Sequence, residues 1–225
     1  MTSLNYLEHK DNKSIFLIVA GANGSGKSTI YENFLKNLPE YANIKFINPD
    51  VIAKNLAQST KNVKSINDLS PKEQAKINFE AGKEALKIRA EKLKNHESFA
   101  IESTASSPTI LKAINEAKAQ GYKIVSIYVI LKELDLNICR VKERVLEGGH
   151  NIPTDDIIRR YDRSYALMPK VIAQSNLSLI LDNTKKHIKI LKKVQDNIIV
   201  FPNNNFSEET LTILKNMIKN EIAKG

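Results

Sequence analysis

The residues that could carry chemistry are concentrated first in one glycine-rich stretch, residues 21–28. The stretch reads GANGSGKS and fits G-x-x-x-x-G-K-[ST], the pattern of a phosphate-binding loop, or P-loop. Its glycines let successive backbone N–H groups face one anion. Lys27 is expected to reach the β- and γ-phosphates of a nucleotide, and the Ser28 hydroxyl is expected to ligate Mg²⁺. The predicted nucleotide-binding residues are Gly21, Ala22, Asn23, Gly24, Ser25, Gly26, Lys27, Ser28 and Thr29.

The segments on either side of the P-loop supply the context that the motif needs. Residues 15–20 are an unbroken apolar run, which is typical of a buried parallel strand. The following segment places Ile30, Phe34, Leu35 and Leu38 at helical spacing. A strand, a glycine loop and a helix in this order argue against a glycine-rich turn that binds nothing.

A second candidate group is Asp50, which follows the predicted strand at residues 44–47. A carboxylate at the end of the strand next in sequence could take the proton of an acceptor hydroxyl in phosphoryl transfer. The alternative is that Asp50 caps a short helix over residues 51–57, a role that aspartate fills well. The sequence leaves both interpretations open.

A third candidate group, Glu102 to Thr104, follows the predicted strand at residues 99–101. Glu102 and Thr104 could bind the acceptor, or Glu102 could hold Mg²⁺ through water. The alternative is a polar loop that caps the helix predicted to start at Ser107. That alternative is weaker for Glu102, because a carboxylate at the end of a central strand needs a partner or solvent.

Arginines recur on two predicted helices that flank Gly148 and Gly149. Arg140 and Arg144 lie four residues apart on a helix over residues 135–147, and Arg160 and Arg163 lie on the helix that starts near Pro153. Two helices joined by glycines could close as a lid over a triphosphate. Arginines suit such a lid because each can bond two phosphate oxygens at once. The alternative is that these are solvated helix faces with ion pairs.

The order of the predicted elements indicates how these groups meet. Strands alternate with helices as far as a fifth strand at residues 177–181, which predicts an α/β fold with a parallel sheet covered on both faces. In such sheets ligands bind beyond the carboxyl ends of the strands, where all three candidate groups fall. The remaining sequence predicts a hairpin from residues 188–194 and 198–201, then a helix that starts at Ser207.

The longest predicted helix begins with two start signals, a Ser70–Glu73 capping box and Pro71. It is expected to continue to about Asn95. Its apolar face is predicted to be the stripe formed by Ala75, Phe79, Gly82, Leu86, Ala90 and Leu93.

Length and composition limit the classes of protein to which this chain can belong. The 225 residues, 42% of them apolar, suit one domain, and no apolar run is long enough to span a membrane. The polar N-terminal stretch has no signal-peptide core, and the single cysteine, Cys139, suits a reducing cytoplasm. The net charge of +9 could attract nucleic acid. The lysines are spread along the chain, however, which favours a solvated surface.

Taken together, these motifs resemble the zeta toxins and their chromosomal relatives, P-loop kinases of the nucleoside-monophosphate-kinase type. The resemblance covers about residues 15–184. It is carried by the P-loop, Asn48-Pro49-Asp50, Phe99 to Thr104, Arg140 to Arg144, Glu147-Gly148-Gly149-His150, Arg159-Arg160-Tyr161 and Leu181-Asp182-Asn183.

The resemblance implies an ATP- and Mg²⁺-dependent kinase with a five-stranded parallel core. The implied reaction is phosphorylation of the 3′-hydroxyl of the sugar of UDP-N-acetylglucosamine, with Asp50 as base, Lys27 on the γ-phosphate and Arg144 and Arg160 in the lid. Glu102 and Thr104 would contact the acceptor, and a small helical antitoxin would be the protein partner. We expect a kinase core over residues 1–184 with a lid at about 134–174, and a C-terminal hairpin and helix over 185–225 packed on the same domain.

Two alternatives remain at this point. The chain is shorter than plasmid-borne members and its lid carries Gly-Gly-His, so the acceptor could be another sugar, an antibiotic or a nucleotide. A different class of protein, a P-loop ATPase switch that binds a protein or nucleic acid, is also open. Against the switch, no apolar run ends in Asp-Glu as in the usual Walker B motif.

Overall fold

A computed structural model describes residues 13–63, 66–147, 149 and 151–224 of the chain. The N-terminal stretch up to residue 12, together with Gly148 and His150 of the predicted lid motif, lies outside the described residues. The strands are β1 (Ile15–Ala20), β2 (Lys45–Ile47), β3 (Phe99–Ser103), β4 (Lys123–Ile130), β5 (Leu177–Asp182), β6 (Ile188–Val194) and β7 (Asn197–Val200). The α-helices are α1 (Lys27–Asn33), α2 (Pro49–Lys61), α3 (Pro71–Lys94), α4 (Thr109–Ala119), α5 (Leu134–Leu146), α6 (Thr154–Gln174) and α7 (Glu208–Ile222).

The seven strands form one sheet in the order β2-β3-β1-β4-β5-β6-β7. The first five in this order pair in parallel, and β6 and β7 pair antiparallel at one edge. The predicted five-stranded parallel core is therefore confirmed, with the hairpin extending the same sheet. The P-loop strand β1 lies at the centre, between β3 and β4, so its carboxyl end is flanked by the ends of both neighbours.

Helices cover both faces of the sheet, and alternate residues of β1 separate the two apolar clusters. Phe16, Ile18 and Ala20 join a cluster that includes residues of α3, α4, α6 and α7. Ile15, Leu17 and Val19 join a second cluster with residues of α1 and the segment that follows it. All six residues of β1 are buried, which explains why the strand reads as a continuous apolar run.

Several element boundaries differ from the sequence-based expectation. Helix α1 ends at Asn33, and a separate 3₁₀ turn over Leu35–Asn37 holds Leu35, where one continuous helix was expected. Helix α2 runs from Pro49 to Lys61, whereas the sequence suggested only a short helix over residues 51–57. The Ser70–Glu73 capping box is present, as the sequence predicts.

The predicted apolar face of α3 is wrong over most of the helix, and of the predicted stripe only Leu93 is buried. Phe79 is 63% exposed and Leu86 is 59% exposed, whereas Ile77, Ala81 and Ala85 are buried. Ile77 and Ala81 pack in a small cluster with Ala53 and Ala57 of α2. The position of α2 therefore decides which side of α3 faces inward.

Within the described part of the chain, no helix is both long enough and apolar enough to cross a membrane.

Candidate active site

The P-loop connects β1 to α1 and is hydrogen-bonded to the end of the neighbouring strand β3. The backbone N–H of Gly21 donates to the carbonyl of Ser103 at the end of β3, at 3.2 Å. Lys27 is only 6% exposed, and its Nζ donates to the carbonyl of Ala22 at 2.9 Å. Burial lowers the pKa of Lys27, and the charge of Arg144 lowers it further, although the Glu102 carboxylate opposes both effects. Lys27 therefore lies within the electrostatic reach of both the Glu102 carboxylate and Arg144 of α5.

Helix α5 packs directly on the P-loop at Gly24. Gly24 has φ of +76°, and a Cβ there would lie 2.4 Å from the carbonyl oxygen of Asn137 in α5. The Asn137 side-chain amide in turn donates to the carbonyl of Asn23 at 2.6 Å. This position needs glycine both for its left-handed backbone and for the close approach of the helix.

The Glu102 carboxylate is the point at which the predicted donor and acceptor groups meet. Its Oε2 accepts from the Ser28 hydroxyl at 2.8 Å and from the Asn48 side-chain amide at 3.0 Å, and its Oε1 lies 3.8 Å from Lys27 Nζ. A hydroxyl and a carboxylate side by side are oxygen ligands of the kind that Mg²⁺ takes beside nucleotide phosphates. The donor set formed by Ser28 and Glu102 therefore fits Mg²⁺.

Asp50 lies in the first turn of α2 and does not cap it. The cap of α2 is Asn48, whose Oδ1 accepts from the backbone N–H of Asp50 at 2.9 Å. The Asp50 side chain is exposed and lines a cavity at the carboxyl ends of the strands. The structure therefore assigns the capping role to Asn48 and leaves the carboxylate of Asp50 facing the cavity.

That cavity, which we call the acceptor cavity, has a volume of about 380 Å³. It brings together eight of the predicted site residues: Asn23, Gly24, Lys27, Asp50, Glu102, Thr104, Arg144 and Arg160. Sequence reasoning did not assign site roles to Asn48, Asn78, Asn151 and Asp156, which also line it. Asn48 could have been found from its place in the Asn-Pro-Asp motif. Asn78 lies mid-helix in α3 and has no local signal.

A second cavity of about 450 Å³, the donor cavity, lies against the other side of the P-loop. It shares Gly24, Lys27, Glu102 and Arg144 with the acceptor cavity, and it adds Gly26, Ser28, Thr29, Arg140, Glu143, Glu147, Asn183 and His187. Burial lowers the pKa of His187, and the charge of Arg140 adds to this effect. Sequence reasoning assigned no site role to Asn183 or His187, because nothing local marks them as neighbours of residues 21–29.

The five candidate arginines separate into two groups. Arg144 lines both cavities, Arg140 lines the donor cavity and Arg160 lines the acceptor cavity. Among the described residues, Arg159 and Arg163 are exposed and line neither cavity. Asp156 holds both Arg159 and Arg160, with Oδ1 2.7 Å from Arg159 and Oδ2 3.4 Å from Arg160.

Comparison with known proteins identifies relatives by sequence. Residues 3–205 match the model of the zeta toxin family. An uncharacterized protein of Haemophilus influenzae is 31% identical over 150 residues, which are 67% of this chain and 93% of that protein.

Solved structures show the same fold at low sequence identity. A crystal structure of the AvrRxo1-ORF1:AvrRxo1-ORF2 complex with sulphate ions has a TM-score of 0.68 and 17% identity, covering 90% of this chain and 64% of that chain. The AvrRxo1-ORF1:-ORF2 structure with ATP has a TM-score of 0.67 and 14% identity, over 94% and 76% of the two chains. The PezAT chromosomal toxin-antitoxin system of Streptococcus pneumoniae has a TM-score of 0.60 and 16% identity, over 99% and 93%. This chain therefore spans less than two thirds of the first of these neighbours.

Proposed function

The chain belongs to the zeta toxin family, and we propose that it is an ATP-dependent kinase that phosphorylates a hydroxyl of a small molecule. The observation that carries the proposal is that two cavities meet at Lys27, Glu102 and Arg144. One cavity contains the P-loop residues that suit a nucleotide, and the other contains a carboxylate that suits an acceptor hydroxyl. Phosphoryl transfer needs donor and acceptor to approach each other at one such boundary.

The donor side would hold ATP with the backbone N–H groups of the P-loop and of Thr29, which follows it. Lys27 and Arg144 would neutralise charge on the phosphoryl group that is transferred. Ser28 and Glu102 would hold Mg²⁺, which when bound would offset negative charge on the phosphates. The structural neighbour recorded with ATP supports this choice of donor.

The acceptor side would use Asp50 as general base. Its carboxylate would take the proton of the acceptor hydroxyl while that oxygen bonds to the γ-phosphorus, and the bond from the γ-phosphorus to the bridging oxygen of ADP would break. Arg160 and Thr104 would help to hold the acceptor, since both line this cavity. We further propose residues 134–174 as a lid on a kinase core of residues 1–184, with residues 185–225 packed on the same domain.

Family membership makes UDP-N-acetylglucosamine, phosphorylated at the 3′-hydroxyl of its sugar, the first acceptor to test. The polar lining of the acceptor cavity, which includes asparagines and two arginines, supports a hydroxylated anionic acceptor. A small helical antitoxin that obstructs the nucleotide site is the protein partner that we propose. The toxin-antitoxin neighbour from Streptococcus pneumoniae supports a partner of this class.

The deciding experiment is transfer of labelled γ-phosphate from ATP to UDP-N-acetylglucosamine by the purified protein. Asp50→Asn should lower kcat by at least about 100-fold, and Lys27→Ala should abolish transfer. Asp162→Asn is a matched control, because Asp162 is exposed on α6 and lies outside both cavities as described. Transfer by Asp50→Asn at the wild-type rate would overturn the assigned base.

A panel of other sugars, antibiotics and nucleotides as acceptors tests the substrate separately from the kinase class. Labelling of another acceptor and not of UDP-N-acetylglucosamine would keep the kinase and change its substrate. Growth of cells that express wild type or Lys27→Ala tests toxicity, and equal growth would argue against it.

A further inference from the structure

The turn formed by Asp182, Asn183 and Thr184, between β5 and β6, contacts four separate parts of the chain around the donor cavity. We propose that this turn is a positioning element that couples the C-terminal segment at Asn203 and Asn205 to the P-loop and to Arg140, and thereby sets the affinity for the nucleotide donor. The affinity part of the proposal rests on the proposed binding of ATP. The coupling part rests on the contacts alone.

The first contacts join the turn to the P-loop and to the end of β4. The side-chain amide of Asn183 donates to the carbonyl of Ser25 at 2.8 Å, while its own backbone N–H donates to the carbonyl of Ile130 at 2.9 Å. Gly26 has φ of +96°, and a Cβ there would lie 2.2 Å from Asn183 Nδ2. The P-loop therefore leaves room for this one side chain, which fixes the carbonyl that precedes Gly26.

The next contact joins the turn to the lid helix α5. The carbonyls of Asn183 and Thr184 accept from Arg140 Nη2, at 3.0 Å and 3.1 Å. The Thr184 hydroxyl accepts from the backbone N–H of Lys132, in the connection between β4 and α5, at 3.0 Å. This turn therefore orients Arg140 of the donor cavity, and it also fixes the segment that leads into α5, the helix on which Arg140 lies.

The last contact anchors the turn to the chain beyond the hairpin. Asp182 is fully buried, and its Oδ1 accepts from the backbone N–H and the hydroxyl of Thr184, at 2.8 Å and 2.6 Å. Its Oδ2 accepts from the side-chain amides of Asn203 and Asn205, at 3.1 Å and 2.6 Å. A buried carboxylate that receives four hydrogen bonds is held in place by them. Keeping it buried costs free energy once some of these donors are removed.

These contacts form one path from the C-terminal segment to the nucleotide site. Removing the two asparagine amides would leave Oδ2 of Asp182 short of donors in a buried place, and the turn would have to move to find others. Movement of the turn would displace Arg140 and the Ser25 carbonyl together. The acceptor cavity lacks Arg140 and residues 182–184 among its lining residues, so acceptor binding should be spared.

The test compares Asn203→Ala/Asn205→Ala with the matched control Asn204→Ala, which removes the exposed asparagine that lies between the two. The Kd and KM for ATP should rise about three- to tenfold in the double variant and stay unchanged in the control. The KM for the acceptor should stay unchanged in both. In the protein without nucleotide, hydrogen exchange should increase at residues 21–28 and 132–144 in the double variant only.

Three results would overturn the proposal. They are an unchanged ATP affinity with unchanged exchange, an increase in exchange spread evenly over the sheet, and parallel rises in both KM values. Asn183→Ala supplies a second route if the double variant folds poorly, because it removes the P-loop contact and leaves the Asp182 cluster in place. The triple variant Asn183→Ala/Asn203→Ala/Asn205→Ala should lose less ATP affinity than the sum of the losses in Asn183→Ala and in Asn203→Ala/Asn205→Ala. A loss equal to that sum would contradict the proposed coupling through the turn.

The hydrogen-exchange measurement also distinguishes failure of this proposal from failure of the proposed kinase function. If the wild-type protein binds ATP and phosphorylates no acceptor, the kinase proposal fails while the affinity comparison still stands. If wild type does not bind ATP, the affinity part fails with the kinase, and the exchange comparison still decides whether the turn positions the P-loop.

Discussion

Asn48 and Glu102 are joined by a hydrogen bond of 3.0 Å between the Asn48 side-chain amide and Glu102 Oε2. The other polar side-chain atom of Asn48, Oδ1, caps α2 by accepting from the backbone N–H of Asp50 at 2.9 Å. One buried asparagine therefore fixes the start of the helix that carries the proposed base, and it also orients the carboxylate that contacts Ser28. The proposed acceptor and donor sides of the site are therefore connected through this residue.

Asn48→Asp should separate these two tasks. Aspartate caps a helix as well as asparagine does, so the cap should be kept, and any loss of thermal stability should come from repulsion between the two carboxylates. The new carboxylate would face Glu102 and repel it, so transfer activity should fall at least about tenfold. Asn48→Ala should lose activity and also about 1 kcal/mol of stability, because the cap is lost. Thermal melts and initial rates on the same preparations check this, and an active Asn48→Asp would contradict it.

Glu102→Gln should weaken the response to Mg²⁺ more than it weakens ATP binding measured without metal. The amide would keep a polar contact with Ser28 but lose the negative charge that suits a divalent cation. The Mg²⁺ concentration that gives half-maximal transfer should rise about tenfold. Ser28→Ala should have a similar effect, and the double variant should be less damaging than the two effects combined, because both groups would serve one ion. Unchanged Mg²⁺ dependence in both single variants would refute this pairing.

Alanine substitutions of the arginines should affect the kinetic parameters to clearly different degrees. Arg144→Ala should reduce kcat/KM most, by about 100-fold or more, because this residue lines both cavities. Arg160→Ala should act mainly on the KM of the acceptor. Arg163→Ala is the control on the same helix and should leave both parameters close to wild type, since its side chain is exposed away from the cavities. Steady-state kinetics with each substrate varied in turn measures all three, and a damaging Arg163→Ala would show that the described cavities are incomplete.

Lys193 should make the free energy of unfolding depend on pH. Its side chain is 1% exposed and its Nζ donates to the Ser175 carbonyl at 2.5 Å. Burial, aided by the charge of Lys118 and opposed by Asp196, lowers the pKa of Lys193 to about 8. The unfolded chain therefore binds more protons than the folded chain between about pH 8 and the ordinary lysine value, so this group's contribution to stability rises with pH across that window.

Lys193→Met should remove this rise, and at about pH 7 it should be more stable than wild type by up to about 3 kcal/mol. Urea unfolding at a series of pH values from about 7 to about 10.5 measures the difference between the two proteins. Lys186→Met, at an exposed lysine, is the control and should follow the wild-type profile. A constant difference between Lys193→Met and wild type at every pH would contradict the titration of Lys193.

The elements that are specified by short sequence motifs were predictable from the sequence. The P-loop, its strand and the Ser70–Glu73 capping box appear where the pattern places them, because each depends on backbone demands that a few adjacent residues satisfy. The convergence of Lys27, Asp50 and Glu102 on one edge of the sheet was also predictable. Parallel strands bring their carboxyl ends together whatever their order in the sheet.

The tertiary structure alone decided which face of α3 is buried and which distant residues support the P-loop. An apolar residue every three or four positions fits more than one face of a helix, and α2 selects Ile77 and Ala81 over Phe79 and Leu86. Asn203 and Asn205 are linked to the turn that contacts the P-loop only because β6 and β7 extend the sheet and return the chain to the end of β5. A polar side chain with no periodic pattern carries no local signal of its partner, since a hydrogen bond between distant residues exists only once packing has brought its two ends together.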